Sequence, residues 1–403
     1  MPTDEGVSWR YIESELPIPK AQAQRFRRGG SADRNRLRRH ESGRGDYQLR
    51  RSRVESITSY DDVSASADIN VVNQVEYAYN GYRLVAETKQ SHDGRVDGAT
   101  PSVVYSYDDG DVPGGTGAAS YVRLSQVTYP DGRQIDYGYG SAGSSDDALN
   151  RVVTIGEGPG TYAEYEYLGA GTIVAVSHPD VGGATFDLTL DYNTTGNYEG
   201  WDTFGRVVNQ EWTDGQSTPT VLDKYVYTYD RNSNRTARDN QGPSADTTFD
   251  EVYHYDELDR LDSVDRDTTT GYQDWTLDGL GNWASFTDDG APVETRTHNA
   301  ANELETSSAR ENPEYDAAGN LISGPNPDSP GTRQHYVYDA WNRLVGVYED
   351  DSASPGDPDL ASPLATFEYD GRNFRIEKSA GGVDLAFFYN ESQQLLEERR
   401  GAD

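Results

Sequence analysis

One short pattern recurs through most of this chain and limits what it can fold into. An aromatic, one residue and a second aromatic are followed by Asp or Asn, two or three turn formers, Arg or Asn, and an alternating apolar strand. The clearest copies begin at Tyr77 (YAYNGYRLVAET), Val127 (VTYPDGRQIDYGY), Trp201, Tyr225, Tyr253, Leu277, His298, Tyr315, Tyr336 and Phe367. Measured at the residue before the Asp or Asn, the copies at Tyr229, Tyr255, Leu277, His298, Tyr315, Tyr338, Tyr369 and Tyr389 stand 26, 22, 21, 17, 23, 31 and 20 residues apart. Each step is one hairpin, two strands of about 5 to 6 residues with their turns. A chain built this way buries each unit only against its neighbours, so its 403 residues do not divide into ordinary globular domains.

The residues of a unit explain its shape. Tyr225, Tyr227 and Tyr229 alternate with Val226 and Thr228, which puts three rings on one face of a strand. The Asp or Asn that follows hydrogen-bonds backbone two residues on, and Gly or Asn supplies a positive φ. The next Arg starts the returning strand and is expected beside a neighbouring unit's Asp, a cross-strand pair worth a few tenths to ~1 kcal/mol. The motif residues are Tyr79, Asn80, Gly81 and Arg83; Asp131, Gly132 and Arg133; Asp202, Gly205 and Arg206; Tyr229 and Asp230; and Tyr255, Asp256 and Arg260. They continue with Asp278 and Gly281; Tyr315, Asp316 and Gly319; Tyr338, Asp339 and Arg343; and Tyr369, Asp370 and Gly371.

Four segments follow. Residues 1–53 carry 13 Lys and Arg against 7 Asp and Glu, including 11 Arg from Arg25 to Arg53, and are expected to be disordered. Residues 54–73 read as a linker, 74–398 as the repeat sheet, degenerate over about 134–191, and 399–403 as a tail. Polar inserts at 109–120, 141–147 and 350–363 read as loops. Beyond residue 53 the balance is 22 basic against 62 acidic residues, a charge of -40 that repels nucleic acid and anionic headgroups. No apolar run is long enough to span a membrane as a helix.

Enzyme chemistry finds no foothold in these residues. The absence of cysteine removes thiolate nucleophiles and Cys-type metal sites, and the six histidines stand singly. Asp230 to Asn234 begins like a calcium loop, but Arg235 stands where Gly is needed and Gln241 where a bidentate Glu is needed. There is no Gly-x-Ser-x-Gly, and Gly115-Thr116-Gly117 and Gly279-Leu280-Gly281 are turns rather than phosphate cradles. Paired carboxylates could serve a glycosidase, but in so acidic a body such pairs arise by chance. The expectation is no catalytic residue, no cofactor and no metal.

The ten spaced copies of this motif resemble the YD-repeat proteins: bacterial Rhs and wall-associated proteins, the C component of insecticidal toxin complexes, and teneurins. The resemblance covers about residues 74–398. It implies an all-β fold, consecutive antiparallel hairpins in a curved or spiralling shell-like sheet, which in full-length relatives encloses a toxic domain or displays surfaces for cell contact. It also suggests a secreted or cell-surface setting. The family's self-cleaving core has no counterpart here: Asp357-Pro358-Asp359-Leu360 lacks the glycine of its Asp-Pro-x-Gly-like motif and precedes two further repeats. The reading is therefore a scaffold fragment of a shell without cargo or autoprotease, with a protein or glycan partner. Phe387 and Phe388 in the last unit suggest self-association through a C-terminal edge. The alternative is a carbohydrate or cell-surface binding module that stacks sugars on Tyr and Trp, and a carboxylate glycosidase comes third.

Overall fold

The computed structural model describes residues 23–29, 44–50, 53–60, 71–108, 122–179, 188–191, 199–214, 219–243, 247–267, 269–310, 312–329, 331–350 and 356–401. From strand Arg53–Tyr60 onward, each strand pairs antiparallel with the next in sequence, through Val71–Tyr79, Val85–Ser91, Ser102–Asp108 and so on to Leu304–Ser307. A second sheet of eight strands, from Glu314–Tyr315 to Leu395–Arg400, continues the same meander beside the first sheet of twenty-one. The expected all-β architecture of consecutive hairpins is what forms. Among the described residues the helical exceptions are Ser145–Ala148 and a single 3-10 turn at Thr247–Phe249.

The strands follow from the period-2 pattern, and the joints follow from the turn residues. In nearly every unit the ladder register slips at the residue before the motif Asp or Asn, at Tyr79, Tyr107, Tyr229, Tyr255, Leu277, His298, Tyr315, Tyr338, Tyr369 and Tyr389, and it slips likewise at Tyr167 before Leu168. Three residues beyond the Asp the backbone turns left-handed, as at Gly205 (φ 74°), Gly281 (φ 90°), Asn302 (φ 64°) and Asn342 (φ 60°). A type I turn closed by a left-handed residue forces an extra residue into one strand, which bends the hairpin and increases its twist. One bulge per unit makes a ribbon that coils instead of lying flat.

The ribbon coils far enough to meet itself. The face of Val75, Thr88, Val103, Tyr105 and Val127 is buried, and Leu396 of the last strand packs against Val103, Tyr105 and Val127.

Several boundaries differ from the sequence expectation. Residues 54–73 are not a linker throughout, because strand Arg53–Tyr60 pairs with Val71–Tyr79 and buries Ile57 and Tyr60. Two strands, Ala23–Gly29 and Arg44–Arg50, lie in the segment expected to be disordered. The stretch read as a loop over 350–363 contains the first half of strand Pro358–Tyr369, whose prolines are accommodated at register slips. The insert at 141–147 holds the start of helix Ser145–Ala148, while that at 109–120 lies outside the described residues.

Candidate functional site

The recurrent element is the turn, and its geometry repeats closely. One side-chain oxygen of the Asp or Asn accepts the backbone N–H groups two and four residues on. For Asp256 these are Leu258 at 2.9 Å and Arg260 at 3.0 Å; for Asp202, Asp278, Asp316, Asp339 and Asn80 the distances lie between 2.8 and 3.0 Å. The other carboxylate oxygen takes the side chain four residues on: Arg206 at 2.6 Å, Arg260 at 2.7 Å, Arg343 at 2.6 Å, Asn234 and Asn282 at 3.0 Å and Asn320 at 2.8 Å. These donors hold Asp256 below the usual carboxylate range, the Arg260 amide first and, against the cost of burial, its guanidinium.

The arginine therefore pairs with its own unit's Asp, not a neighbour's as its place on the returning strand suggested. What it gives the next unit is a bond to backbone. Arg206, Arg260 and Arg343 donate from Nη1 to the carbonyls of Asp230, Asp278 and Asp370 at 3.0, 2.8 and 3.3 Å. Where Asn replaces Arg, the amide reaches the left-handed residue of the next turn: Asn234 to Asp259, Asn282 to Asn302 and Asn320 to Asn342, at 2.9, 3.1 and 3.0 Å. Consecutive turns are thus stacked and tied in a column.

The tyrosine before the Asp supplies the second tie. Its hydroxyl donates to the carbonyl five residues past the preceding motif Asp or Asn: Tyr107 to Val85, Tyr229 to Val207, Tyr255 to Arg235, Tyr369 to Leu344 and Tyr389 to Arg375, at 2.6 to 2.9 Å. Tyr79 makes the same bond to Val54. Tyr139 and Tyr167 bond Leu124 and Val152, so the tie persists through the degenerate stretch. Phe could not make this bond. The sequence signal is the preference for Tyr at that place.

Some motif residues sit elsewhere than their spacing implied. In the copy at Val127, Tyr129 takes the Asp place and Gly132 the left-handed one, so Asp131 is a turn residue whose carboxylate accepts the Arg133 amide at 2.8 Å. Arg133 does pair with a neighbouring unit, through Glu157 at 2.9 Å. Arg83 is itself the left-handed residue of its turn (φ 72°), and Gly81 and Gly371, one place after the Asn or Asp, do not have a positive φ. Gly319 does, at 84°. Tyr338 lies opposite Leu344 in the ladder.

The C-terminal turns also dock. Asn73 donates to the Tyr369 carbonyl at 3.0 Å, and Gln90 both donates to the Tyr389 carbonyl at 2.7 Å and accepts its N–H at 3.1 Å. The Glu391 N–H donates to the Tyr105 hydroxyl at 2.7 Å, and the Asp131 N–H to Glu397 at 3.1 Å. Arg372, paired with the buried Asp370 at 2.6 Å, reaches Gln90 at 3.3 Å. Phe387 and Phe388 are only 4% exposed. The expectation that they present an open apolar edge is corrected by this seam, which covers them.

No protein-family model matches the chain, and no curated protein does. Among solved structures it is similar to a Tc holotoxin pore of Photorhabdus luminescens, with a TM-score of 0.56 and 13% identity over 88% of this chain and 20% of that one. A crystal structure of TcdB2-TccC3 matches at a TM-score of 0.45 and 13% identity, over 88% and 20%. The chain spans about a fifth of the length of those it matches. The first likeness is one of fold, and it supports the shell-type sheet that the motif implied.

Among the described residues several rings are engaged within the sheet. Trp275, Trp283 and Phe286 pack on one another with centroids 5.2 to 5.9 Å apart, and Arg296 lies 4.9 Å from the Trp283 centroid. Tyr79, Tyr229, Tyr255, Tyr369 and Tyr389 bond backbone through their hydroxyls. The most exposed large apolar side chains are at turn tips, two residues past the Asp: Phe204 (80%), Leu280 and Leu258. Among the described residues no helix is long and apolar enough to cross a membrane, which says nothing of strands.

Proposed function

We propose that this chain is a wall segment of an Rhs-type, YD-repeat shell, a structural scaffold that surrounds or presents another protein and does no chemistry of its own. The observation that carries it is the seam: a hairpin ribbon that bends at every unit comes back to dock its turns at Tyr369 and Tyr389 on the face of its first strands. A ribbon built to coil and seal against itself suits enclosure. The fold shared with a Tc holotoxin chain agrees, while the partner's identity rests on nothing beyond it. The reading includes no catalytic step, because the motif carboxylates are already engaged by backbone amides and by Arg or Asn.

The test is protection of a passenger. An unstructured, protease-sensitive segment fused after Asp403 should survive trypsin longer than the same segment fused to an unrelated soluble β protein. Equal lifetimes would sink the enclosure reading. The carbohydrate-binding alternative has less support, since Arg296 and Phe286 already crowd Trp283. Saturable binding on a glycan array, lost in Trp283→Ala, would restore it.

A further inference from the structure

The seam contains a pair of titratable groups that docking alone does not call for. His92 lies in the turn after strand Val85–Ser91 and stacks on Phe388 of the docked sheet, with centroids 4.6 Å apart and planes at 21°. Its Nδ1 is 3.8 Å from Oε1 of Glu377, its side chain is 10% exposed, and its Nε2 has no hydrogen-bond partner among the described residues. Two sets of like charge surround the pair. Glu377 faces Glu368, directly opposite on the neighbouring strand, together with Asp384 and, from the other side of the seam, Asp93. His92 faces Arg372 and Arg399.

Each group resists its charged form. Burial, then Glu368, Asp384 and Asp93, push Glu377 up to about 7. Burial, then Arg372 and Arg399, push His92 down to about 4. We propose that His92 and Glu377 form a charge-compensating pair that keeps closure of the seam insensitive to pH, each cancelling the pH dependence that the other would impose.

Protons decide the matter. In the closed seam the pair holds one proton from about pH 4 to about pH 7, whichever of the two carries it, and its net charge is zero. In an open seam, with ordinary values of 6.5 and 4.5, the pair also holds one proton between those limits. Opening between pH 4.5 and 6.5 then moves no proton on or off this pair, and linkage makes the pair's contribution pH-independent. Each group alone would behave otherwise. Glu377, raised in the closed state, contributes stability that is full below 4.5 and lost as pH rises through 7. His92, depressed in the closed state, contributes stability that is full above 6.5 and lost as pH falls through 4. The slopes oppose.

Hydrogen exchange of the Tyr389 and Glu391 amides, which bond Gln90 and Tyr105 across the seam, reads closure once rates are divided by the intrinsic exchange rate. The wild type from pH 4.5 to 6.5 sets the reference profile, whose residual slope is that of Glu368 and Glu391, both also raised by burial. Relative to that profile, His92→Phe, which keeps a ring on Phe388, should lose protection as pH rises, and Glu377→Gln should lose it as pH falls. Over two pH units the limit is about a hundredfold, reduced to roughly tenfold by solvent screening of the half-exposed Glu377. The double variant should return to the slope of the wild type. Two single variants with the slope of the wild type, or both departing from it in the same direction, would overturn the proposal. If a variant does not fold, titration of both side chains by NMR in the wild type decides instead. Steps near 4 and 7 are expected, and steps at 4.5 and 6.5 would overturn it.

Discussion

Removing a single oxygen tests the tie between units. In Tyr229→Phe the ring and its place under Arg206, 4.6 Å away, are kept, and only the bond to the Val207 carbonyl at 2.7 Å is lost. A protein hydrogen bond contributes about 0.5 to 1.5 kcal/mol net, and a half-buried carbonyl left without its donor moves the loss toward the upper end. The expected cost is about 1 to 1.5 kcal/mol, roughly a five- to tenfold rise in local opening. Because each tie joins only neighbouring units, the change should be confined to the hairpins around Val207 and Tyr229, and combined with Tyr369→Phe it should add to within about 0.5 kcal/mol. Hydrogen exchange by peptide gives the locality, and urea unfolding gives the sum. The control is Tyr165→Phe, whose hydroxyl makes no hydrogen bond among the described residues. If Tyr229→Phe costs no more than this control, or if the faster exchange spreads over the whole ribbon, the account of the ties is wrong.

Gly205→Ala should cost about 1 kcal/mol in unfolding experiments, although nothing lies within 4 Å of the added carbon, because φ is +74° there; Gly81→Ala, with equal space and no positive φ, should cost less than half of that. Phe388→Lys should open the seam rather than abolish an association, since the ring is buried on His92: a loss of about 3 kcal/mol or more, read as faster exchange of the Tyr389 amide, is expected, and unchanged exchange would show that the seam does not depend on that ring. Among the described residues no group of three or more His, Asp or Glu could hold a metal, so a chelator should leave the melting temperature unchanged; a fall of several degrees, reversed by calcium, would point to a site in the acidic turns.

The fold was legible because its signals are local. Alternation gives strands, and Asp or Asn followed by Gly or Asn gives turns. The repeat also hid detail that the same residues carry. Arg206, Arg260 and Arg343 each stand four places after an Asp, and in a five-residue turn that spacing closes an ion pair within the unit; reading the Arg as part of a strand sent it to the wrong partner. The first half of the strand over Pro358–Tyr369 reads as a loop from its proline and serine content, because the register slips at Tyr348 that let the ladder absorb Pro358 and Pro363 leave no mark in the sequence. The seam was not legible at all. Its bonds join residues 266 to 299 apart through single polar side chains such as Asn73 and Gln90, whose positions in their strands carry no pattern.

This division bears on how so acidic and apolar-poor a chain can hold an ordered ribbon. With 34% hydrophobic residues, burial alone offers little against the entropy of ordering. Part of its acidity makes bonds, though: a motif Asp that caps two amides and binds an Arg or Asn adds charge to the total but is locally satisfied. The ribbon is therefore held by hydrogen-bonded units joined to the next by an Arg or Asn and a Tyr, with buried apolar side chains at the face where the coil meets itself and at places such as Val174 and Val264 along it. Carboxylates outside the turns are a different population. Glu368 and Glu377, opposed across a ladder at the seam, are pushed up toward neutrality, which is where compensation by His92 has a task. A motif Asp changed to Asn should thus be felt in its own turn, whereas a change at Glu377 should be felt at the seam and only through pH.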